Sequence, residues 1–247
     1  MSSPTLVIDS RHCGPPRSGN GGWVAGALVD LASQSGWPTT DVTAEVRLMA
    51  PPPLNTPLAL STYDEGVALT LAGQTIATAR LLPPTTEPTP VASVDLATAV
   101  AASAHYPGHR HHPFPTCFSC GTGRSDGLRI FPGPVPRTDL VAAPWTPKET
   151  DLPTLWAALD CIGAWAGDLT ERALVLGQIR VRLLGTAVTA EPHVVVGQSR
   201  GQDGRKTLTA SSLYGPSGAL IGVAEHIWIA IDPTQFNALA NDTKEAR

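Results

Sequence analysis

Charged and aromatic residues are scarce in this sequence of 247 residues, at 15% and 5% of the chain. The 17 basic and 21 acidic residues leave a net charge of −4, and no basic stripe with interleaved aromatic residues occurs, so no nucleic-acid partner is expected. No apolar run approaches the roughly 20 residues that a membrane-spanning helix needs, so no membrane partner is expected either. No basic region followed by an apolar stretch opens the chain, which predicts a cytoplasmic location.

Cysteine is also scarce, and its four positions are Cys13, Cys117, Cys120 and Cys161. Four cysteines are too few for a disulfide scaffold, and a cytoplasmic chain would keep them reduced. The Cys117-x-x-Cys120 spacing suggests zinc, but a structural site needs four ligands and there is no second Cys-x-x-Cys. His109, His111 or His112 could complete such a site, and the alternative is a tight turn. We assign no metal ligand from the sequence.

Glycine and proline are abundant instead, with 23 and 24 residues, and their placement divides the chain. Proline, threonine and histidine concentrate in residues 84–116, which is typical of a connection between two units. Within this segment, residues 91–104 are rich in alanine and valine and predict a small helix.

The same order of signals appears on both sides of this connection. Residues 22–32 and 151–167 each predict a helix, the second with an apolar stripe at Leu155, Leu159, Ile162 and Ala166. Alternating strands and turn residues follow each helix. The predicted strands are 42–48, 57–63, 67–72 and 74–82 in the first half, and 128–131, 140–145, 179–183, 192–199, 206–214 and 219–231 in the second.

This repetition indicates an internal duplication. The predicted boundaries are 1–83 for the first unit, 84–116 for the linker, 117–232 for the second unit and 233–247 for a tail helix. One long helix followed by antiparallel hairpins is an α+β arrangement, in which the helix buries its apolar stripe against a curved sheet.

Three motifs resemble those of the double-hotdog acyl-CoA thioesterases. Asn20-Gly21-Gly22-Trp23, followed by Asp30, resembles the His-Gly-Gly…Asp helix start of phenylacetate-type thioesterases, with Asn20 where those enzymes have histidine. The segment from Trp156 to Asp160 carries an aspartate at the corresponding point of the second helix. Cys117-Phe118-Ser119-Cys120-Gly121, followed by Gly127-Leu128, resembles the Cys-x-x-Cys-Gly…Gly-Leu segment of many hotdog proteins.

The resemblance implies two tandem hotdog units, each an antiparallel sheet wrapped around a central helix, paired as an intramolecular dimer. It also implies hydrolysis of an acyl-CoA or related acyl thioester, with coenzyme A as part of the substrate and no further cofactor. In hotdog thioesterases a helix N-terminus polarises the thioester carbonyl, and a carboxylate from the other unit's helix acts as base or nucleophile. The implied catalytic residues are Asp160, Asp30, Gln178 and His226. The implied substrate-binding residues are Asn20, Gly21, Gly22, Trp23, Trp156 and Gly163.

Each candidate also has a purely structural interpretation. An aspartate within an apolar helical stripe is costly unless it is used or paired, and Asp160 could pair with Arg180 or Arg182. Asp30 could be a solvated residue near a helix end, and Asn20 could be no more than a helix N-cap.

Other functions on the same scaffold stay open at this point. A non-catalytic protein that binds acyl-CoA or another small ligand is the main alternative to a thioesterase. Hotdog hydratases carry an Asp and His pair or a histidine in the central helix, and neither predicted helix contains histidine. Pairing of two chains into a homodimer is a further expectation.

Overall fold

The computed structural model describes residues 4–167, 169–232, 234 and 236. Within these residues, three α-helices occur: α1 (Gly21–Ser33), α2 (Leu96–Ser103) and α3 (Leu152–Ala166). The strands are β1 (Thr5–Val7), β2 (Thr43–Leu48), β3 (Pro57–Tyr63), β4 (Gly66–Leu71), β5 (Gln74–Leu82), β6 (Gly133–Pro134), β7 (Leu140–Trp145), β8 (Leu174–Leu183), β9 (His193–Asp203), β10 (Lys206–Tyr214) and β11 (Leu220–Ala230).

All of these strands belong to one antiparallel sheet in the order β1-β3-β4-β5-β2-β8-β11-β10-β9-β7-β6. Strands from the first half of the chain occupy one side of the order and strands from the second half the other. The two sides meet where β2 pairs with β8, with Glu45 opposite Arg180. The α+β architecture expected from the sequence is confirmed.

Side-chain caps and small apolar residues explain the two long helices. Asn20 caps α1 by accepting a hydrogen bond from the Trp23 N–H, and Asp151 caps α3 by accepting one from the Thr154 N–H. Pro153 fits the first turn of α3, where its missing N–H costs nothing. The helices therefore begin where the sequence supplies a cap.

The two helices share one hydrophobic core. Leu28 of α1 and Leu159 and Ile162 of α3 are fully buried and belong to the same cluster, which also takes in residues of both sides of the sheet. Each such side chain contributes about 1.5–3 kcal/mol by its burial. The halves are thus joined by a common core as well as by the β2–β8 pairing.

Most of the predicted strands agree closely with the structure, and one is wrong. Residues 57–63, 74–82, 140–145 and 206–214 form the predicted strands. The predicted strand 128–131 does not form, because Arg129 has a φ of 58°, which interrupts an extended backbone. Instead, the N–H groups of Leu128 and Ile130 bond the carbonyls of Phe118 and Ser119.

The connection between the halves contains a shorter helix than the sequence predicts. α2 covers only Leu96–Ser103 of the predicted 91–104, because Asp95 caps it by accepting from the Thr98 N–H. The predicted tail helix over 233–247 lies outside the described residues, apart from Thr234 and Phe236. No helix in the described part of the chain has both the length and the apolar character needed to cross a membrane.

Candidate active site

The N-terminus of α1 lies directly against the middle of α3. The Gly22 N–H donates a hydrogen bond of 2.8 Å to Asp160 Oδ2. A Cβ at Gly22 would lie 2.7 Å from the Trp156 carbonyl oxygen and would also clash with the Asp160 side chain. One turn later, a Cβ at Gly26 would meet the Pro153 backbone at 2.7 Å. These two glycines therefore permit the close contact of the helices.

Asp160 is buried, and only part of its carboxyl group has a partner. Its Oδ1 atom has no hydrogen-bond partner among the residues that the structure describes. Burial raises the pKa of Asp160 to about 8, with a further contribution from Cys117, against the opposing hydrogen bonds from Gly22 and Asn20. An incompletely satisfied carboxyl group in an apolar core is costly, and such groups are typical of functional sites.

The arginines that the sequence offered as partners of Asp160 are engaged elsewhere. Arg180 Nε donates to Glu45 Oε2 at 2.8 Å. Arg182 pairs with Asp41 and with Glu87. The structural interpretation of Asp160 as half of an ion pair with either arginine is therefore wrong.

Asn20 links the start of α1 to a group of cysteines. Its side-chain oxygen accepts from the Trp23 N–H at 2.9 Å, as the N-cap interpretation predicts. Its Nδ2 donates to the Cys161 sulfur at 3.5 Å and to the Cys117 sulfur at 3.7 Å. The same side chain thus caps the helix and fixes the loop that carries Cys117.

Asp160, Asn20 and Gly21 line a cavity of about 380 Å³. This volume lies within the range of ligand pockets in proteins, roughly 300–1,000 Å³. Its wall is mainly apolar and comes from both sides of the sheet and from the connection between them, with Leu48, Phe114, Leu174, Leu176 and Trp228. The arrangement places one carboxyl group and one helix N-terminus at the wall of an apolar cavity.

Three other residues that the sequence predicts to bind substrate pack against other parts of the protein. Trp156 is buried in α3, where its carbonyl oxygen faces Gly22. Gly163 packs against His226 and Thr209, since a Cβ there would lie 2.7 Å from His226 Nδ1. Trp23 is half-buried and stacks on His12 at 3.9 Å between ring centroids.

Gln178 and His226 line a different cavity, of about 410 Å³. His226 is buried, and burial lowers its pKa to about 4, so its ring is neutral near neutral pH. Its Nε2 lies 3.1 Å from the Leu159 carbonyl oxygen and its Nδ1 lies 3.2 Å from Thr209 Oγ1. Thr209 in turn accepts from Trp228 Nε1. Nε2 of His226 therefore joins β11 to α3, and Nδ1 joins β11 to β10.

Asp30 does not join the Asp160 site. It lies on the exposed face of α1, and partial burial together with the nearby Asp151 carboxylate raises its pKa. Asp151 caps α3, so the N-terminus of that helix already holds a carboxylate. The two halves of the chain consequently differ at the equivalent helix starts.

One feature of the site has no local signal in the sequence, the position of Cys161 of α3 beside Cys117 and Cys120. His112, one of the three histidines that the sequence offers as partners of these cysteines, reaches the same group. Cys117 and Cys161 are 44 residues apart along the chain, so no local pattern predicts their contact. The only hint in the sequence is that Cys161 directly follows the candidate Asp160.

The chain matches known proteins by its structure and not by its sequence. No protein-family model matches the chain, and no curated protein sequence matches it. The chain is similar to an acyl-CoA thioesterase II TesB2 from Mycobacterium marinum, with a TM-score of 0.60, 14% identity, and coverage of 94% of this chain and 93% of that one. It is also similar to a hot-dog-fold protein of unknown function from Alicyclobacillus acidocaldarius, with a TM-score of 0.60, 12% identity and 93% coverage of both chains.

A third similar structure is a tesB protein from Mycobacterium avium subspecies paratuberculosis, with a TM-score of 0.55 and 13% identity, over 87% of this chain and 88% of that one. At sequence identities this low, the structural similarity establishes the fold alone. The chain adopts the double-hotdog fold, with two tandem units that share one antiparallel sheet.

Proposed function

We propose that the protein is a thioesterase that hydrolyses an acyl-CoA or a related acyl thioester. The observation that carries this proposal is the buried Asp160 carboxyl group at the wall of an apolar cavity, with one oxygen bonded to the N-terminus of α1 and the other without a partner among the described residues. Two of the similar structures bear the names acyl-CoA thioesterase II and tesB protein, which adds support to this choice of reaction.

The start of α1 supplies the groups that stabilise the thioester carbonyl. The Gly22 and Trp23 N–H groups already bond to Asp160 and Asn20, so the Gly21 N–H is the first-turn donor for a substrate carbonyl, and the helix dipole favours negative charge at this end. Gly21 lines the cavity without a side chain, so a carbonyl oxygen can approach the backbone closely. Charge that develops on this oxygen in the transition state is stabilised by the Gly21 N–H and by the helix dipole.

Asp160 acts as the general base. The Gly22 N–H holds Oδ2, while Oδ1 takes a proton from a water molecule in the cavity. The water oxygen forms a bond to the acyl carbon, and the carbon–sulfur bond then breaks. The proton passes from Asp160 to the leaving sulfur, and the products are a carboxylic acid and free coenzyme A. Coenzyme A is part of the substrate, and the reaction as proposed uses no redox cofactor.

Release of free thiol from a panel of acyl-CoA substrates tests the proposal. We expect turnover by the wild-type protein and a decrease in kcat of about 100-fold or more in Asp160→Asn, because the amide cannot take up the proton. Asn keeps the shape of the side chain and removes a poorly satisfied buried carboxyl group, so the variant should unfold at the same temperature or higher.

Asp30→Asn is the matched control, because it removes the exposed carboxyl of α1. Its kcat should equal that of the wild type. Equal turnover by wild type and Asp160→Asn would contradict the role of Asp160, and a lack of turnover on every substrate would contradict the proposed reaction.

A ligand-binding protein is the second candidate, and one contact favours it. The Gly22 N–H, which would otherwise face a substrate carbonyl, is already bonded to Asp160. Saturable binding of an acyl-CoA in calorimetry, with no thiol release over hours, would identify this function.

A further inference from the structure

Three buried cysteines from two distant parts of the chain converge beside the cavity. The sulfur atoms of Cys117, Cys120 and Cys161 all lie within 4.8 Å of one another. Those of Cys117 and Cys161 are 3.5 Å apart, and His112 Nε2 lies 3.4 Å from the Cys120 sulfur. We propose that Cys117, Cys120, Cys161 and His112 form a zinc site.

The spacing of these atoms fits tetrahedral coordination of zinc. With Zn–S bonds of about 2.3 Å and a Zn–N bond of about 2.0 Å, tetrahedral ligands are about 3.8 Å apart for two sulfurs and about 3.5 Å apart for sulfur and nitrogen. The Cys117–Cys161 separation of 3.5 Å needs only a small adjustment. His112 Nε2 lies 3.4 Å from the Cys120 sulfur but outside the group of atoms within 4.8 Å of one another, so its ring must move toward Cys117 and Cys161 when zinc binds. Three thiolates and one imidazole are a usual ligand set for structural zinc.

The turn from Cys117 to Cys120 is closed by a backbone hydrogen bond. The Gly121 N–H donates to the Cys117 carbonyl oxygen at 2.9 Å. A Cβ at Gly121 would lie 2.5 Å from the Cys117 carbonyl oxygen, so the turn requires glycine there. The Asn20 amide donates to two of the three sulfurs. Such donors stabilise thiolates and orient them toward a metal.

His112 completes the set with a movement of its ring and the loss of two hydrogen bonds. Its Nδ1 accepts from the Phe114 N–H at 3.0 Å, and its Nε2 also lies 3.2 Å from the Cys120 carbonyl oxygen. An imidazole that binds zinc through Nε2 carries its proton on Nδ1. Metal binding therefore breaks both the Phe114 hydrogen bond and the contact with the Cys120 carbonyl oxygen, and we expect a local shift of this backbone segment.

The site would fasten the connection between the halves to α3. His112, Cys117 and Cys120 lie in the segment that leads into the second half, whereas Cys161 lies in α3. Zinc bound here would stabilise the cavity wall, and the thioesterase reaction proposed above does not pass through it. Removal of the metal with a chelator should therefore lower the unfolding temperature.

Metal content and cobalt spectra of the full chain test the proposal. Protein purified under reducing conditions and loaded with Zn²⁺ should retain one zinc per chain after dialysis. Co²⁺ should give tetrahedral d–d bands and thiolate charge-transfer bands, and the latter should lose about one third of their intensity in Cys120→Ser or Cys161→Ser, since one of three thiolates is lost. His112→Ala should keep the thiolate bands and bind zinc at least about tenfold more weakly.

Cys13→Ser is the matched control. Cys13 is also buried, but its sulfur donates to the Thr116 carbonyl oxygen, and it is not a member of the cluster. This variant should retain one zinc and the full cobalt spectrum. Because metal content is measured without substrate, the zinc proposal and the thioesterase proposal can fail independently.

Two results would overturn the zinc site. One is a wild-type protein that retains no zinc after loading, a test that does not depend on the folding of any variant. The other is a Cys117–Cys161 disulfide, seen as the loss of two hydrogens in the mass of the purified protein, which would identify a redox pair instead.

Discussion

Gly22 determines how closely Asp160 approaches the N-terminus of α1. Alanine usually stabilises a helix relative to glycine by about 1 kcal/mol. At this position, however, the added methyl group would meet the Trp156 carbonyl oxygen and the Asp160 side chain. Steric repulsion therefore outweighs the gain in helix propensity.

We expect Gly22→Ala to lower the free energy of unfolding by about 1–3 kcal/mol, because the helices must separate to accommodate the methyl group. It should also decrease kcat about tenfold or more, since displacement of Asp160 breaks its bond to the Gly22 N–H. Urea denaturation and thiol release measure the two effects.

Gly185→Ala is a suitable control for this substitution. A Cβ at Gly185 has no close neighbour, the nearest atom being Ile221 Cα at 4.0 Å. Its effect on stability should stay within about 0.5 kcal/mol. Equal effects of the two substitutions would contradict the role assigned to Gly22.

The sequence predicts the residues of the helix start, and of the cysteine cluster it indicates Cys117, Cys120 and a nearby histidine but not Cys161. The Asn20-Gly21-Gly22 motif and Asp160 were identifiable because each lies in a short segment with a recognisable pattern. The contact of Cys161 with Cys117 depends on how α3 packs against a loop, which no local pattern records. The same holds for His226, whose hydrogen bonds to Leu159 and Thr209 exist only in the folded protein.

At the scale of the elements, Glu45 joins three neighbouring strands. It lies on β2, with its side chain only 1% exposed, and it accepts hydrogen bonds from Arg80 of β5 and Arg180 of β8. Arg47 adds a third positive charge at 3.2 Å. Because β2 and β8 belong to different halves of the chain, this cluster holds the two halves together.

The charge on Glu45 makes this stabilisation dependent on pH. Burial alone would raise the pKa of Glu45, but the hydrogen bonds from Arg180 and Arg80 and the charges of Arg180 and Arg47 together lower it below its ordinary value of 4.5. The ionised side chain therefore stabilises the fold fully above that value. The contribution is lost as the pH falls through the lower pKa of the folded state.

We expect Glu45→Gln to lower the free energy of unfolding by about 2 kcal/mol at neutral pH, because the arginines lose a buried partner. The difference between variant and wild type should shrink as the pH falls below about 4.5. Urea denaturation across this pH range measures both effects.

Asp41→Asn provides the comparison, since it also breaks a pair with an arginine of β8. Asp41 is 79% exposed and pairs with Arg182 at 2.8 Å. An exposed pair contributes less than about 1 kcal/mol. A Glu45 variant as stable as the Asp41 variant would contradict the account of the β2–β8 contact.

Element boundaries were predictable where residue alternation and turn residues coincide, as in β3, β5, β7 and β10. The failure at residues 128–131 arises from the left-handed conformation of Arg129, which an apolar alternating pattern does not indicate. Segment 91–104 shows a similar limit, because the position of Asp95 as N-cap determines where α2 begins.

At the scale of the whole molecule, the duplication produces two helix starts with different surroundings. The start of α1 faces the buried Asp160, whereas the start of α3 is capped by Asp151 and lies near the exposed Asp30. The sequence indicates the duplication but not this asymmetry, because burial depends on how the two halves pack. We therefore expect a single active site per chain, at α1.

The location of a bound substrate analogue tests this account most directly. In a crystal structure with an acyl-CoA analogue that has a methylene group in place of the thioester sulfur, the carbonyl oxygen should lie about 3 Å from an N–H of the first turn of α1. Its carbonyl carbon should face Asp160, with the acyl chain along Leu48, Leu176 and Trp228. A carbonyl group bound beside Gln178 and His226, or beside Asp30, would contradict the account.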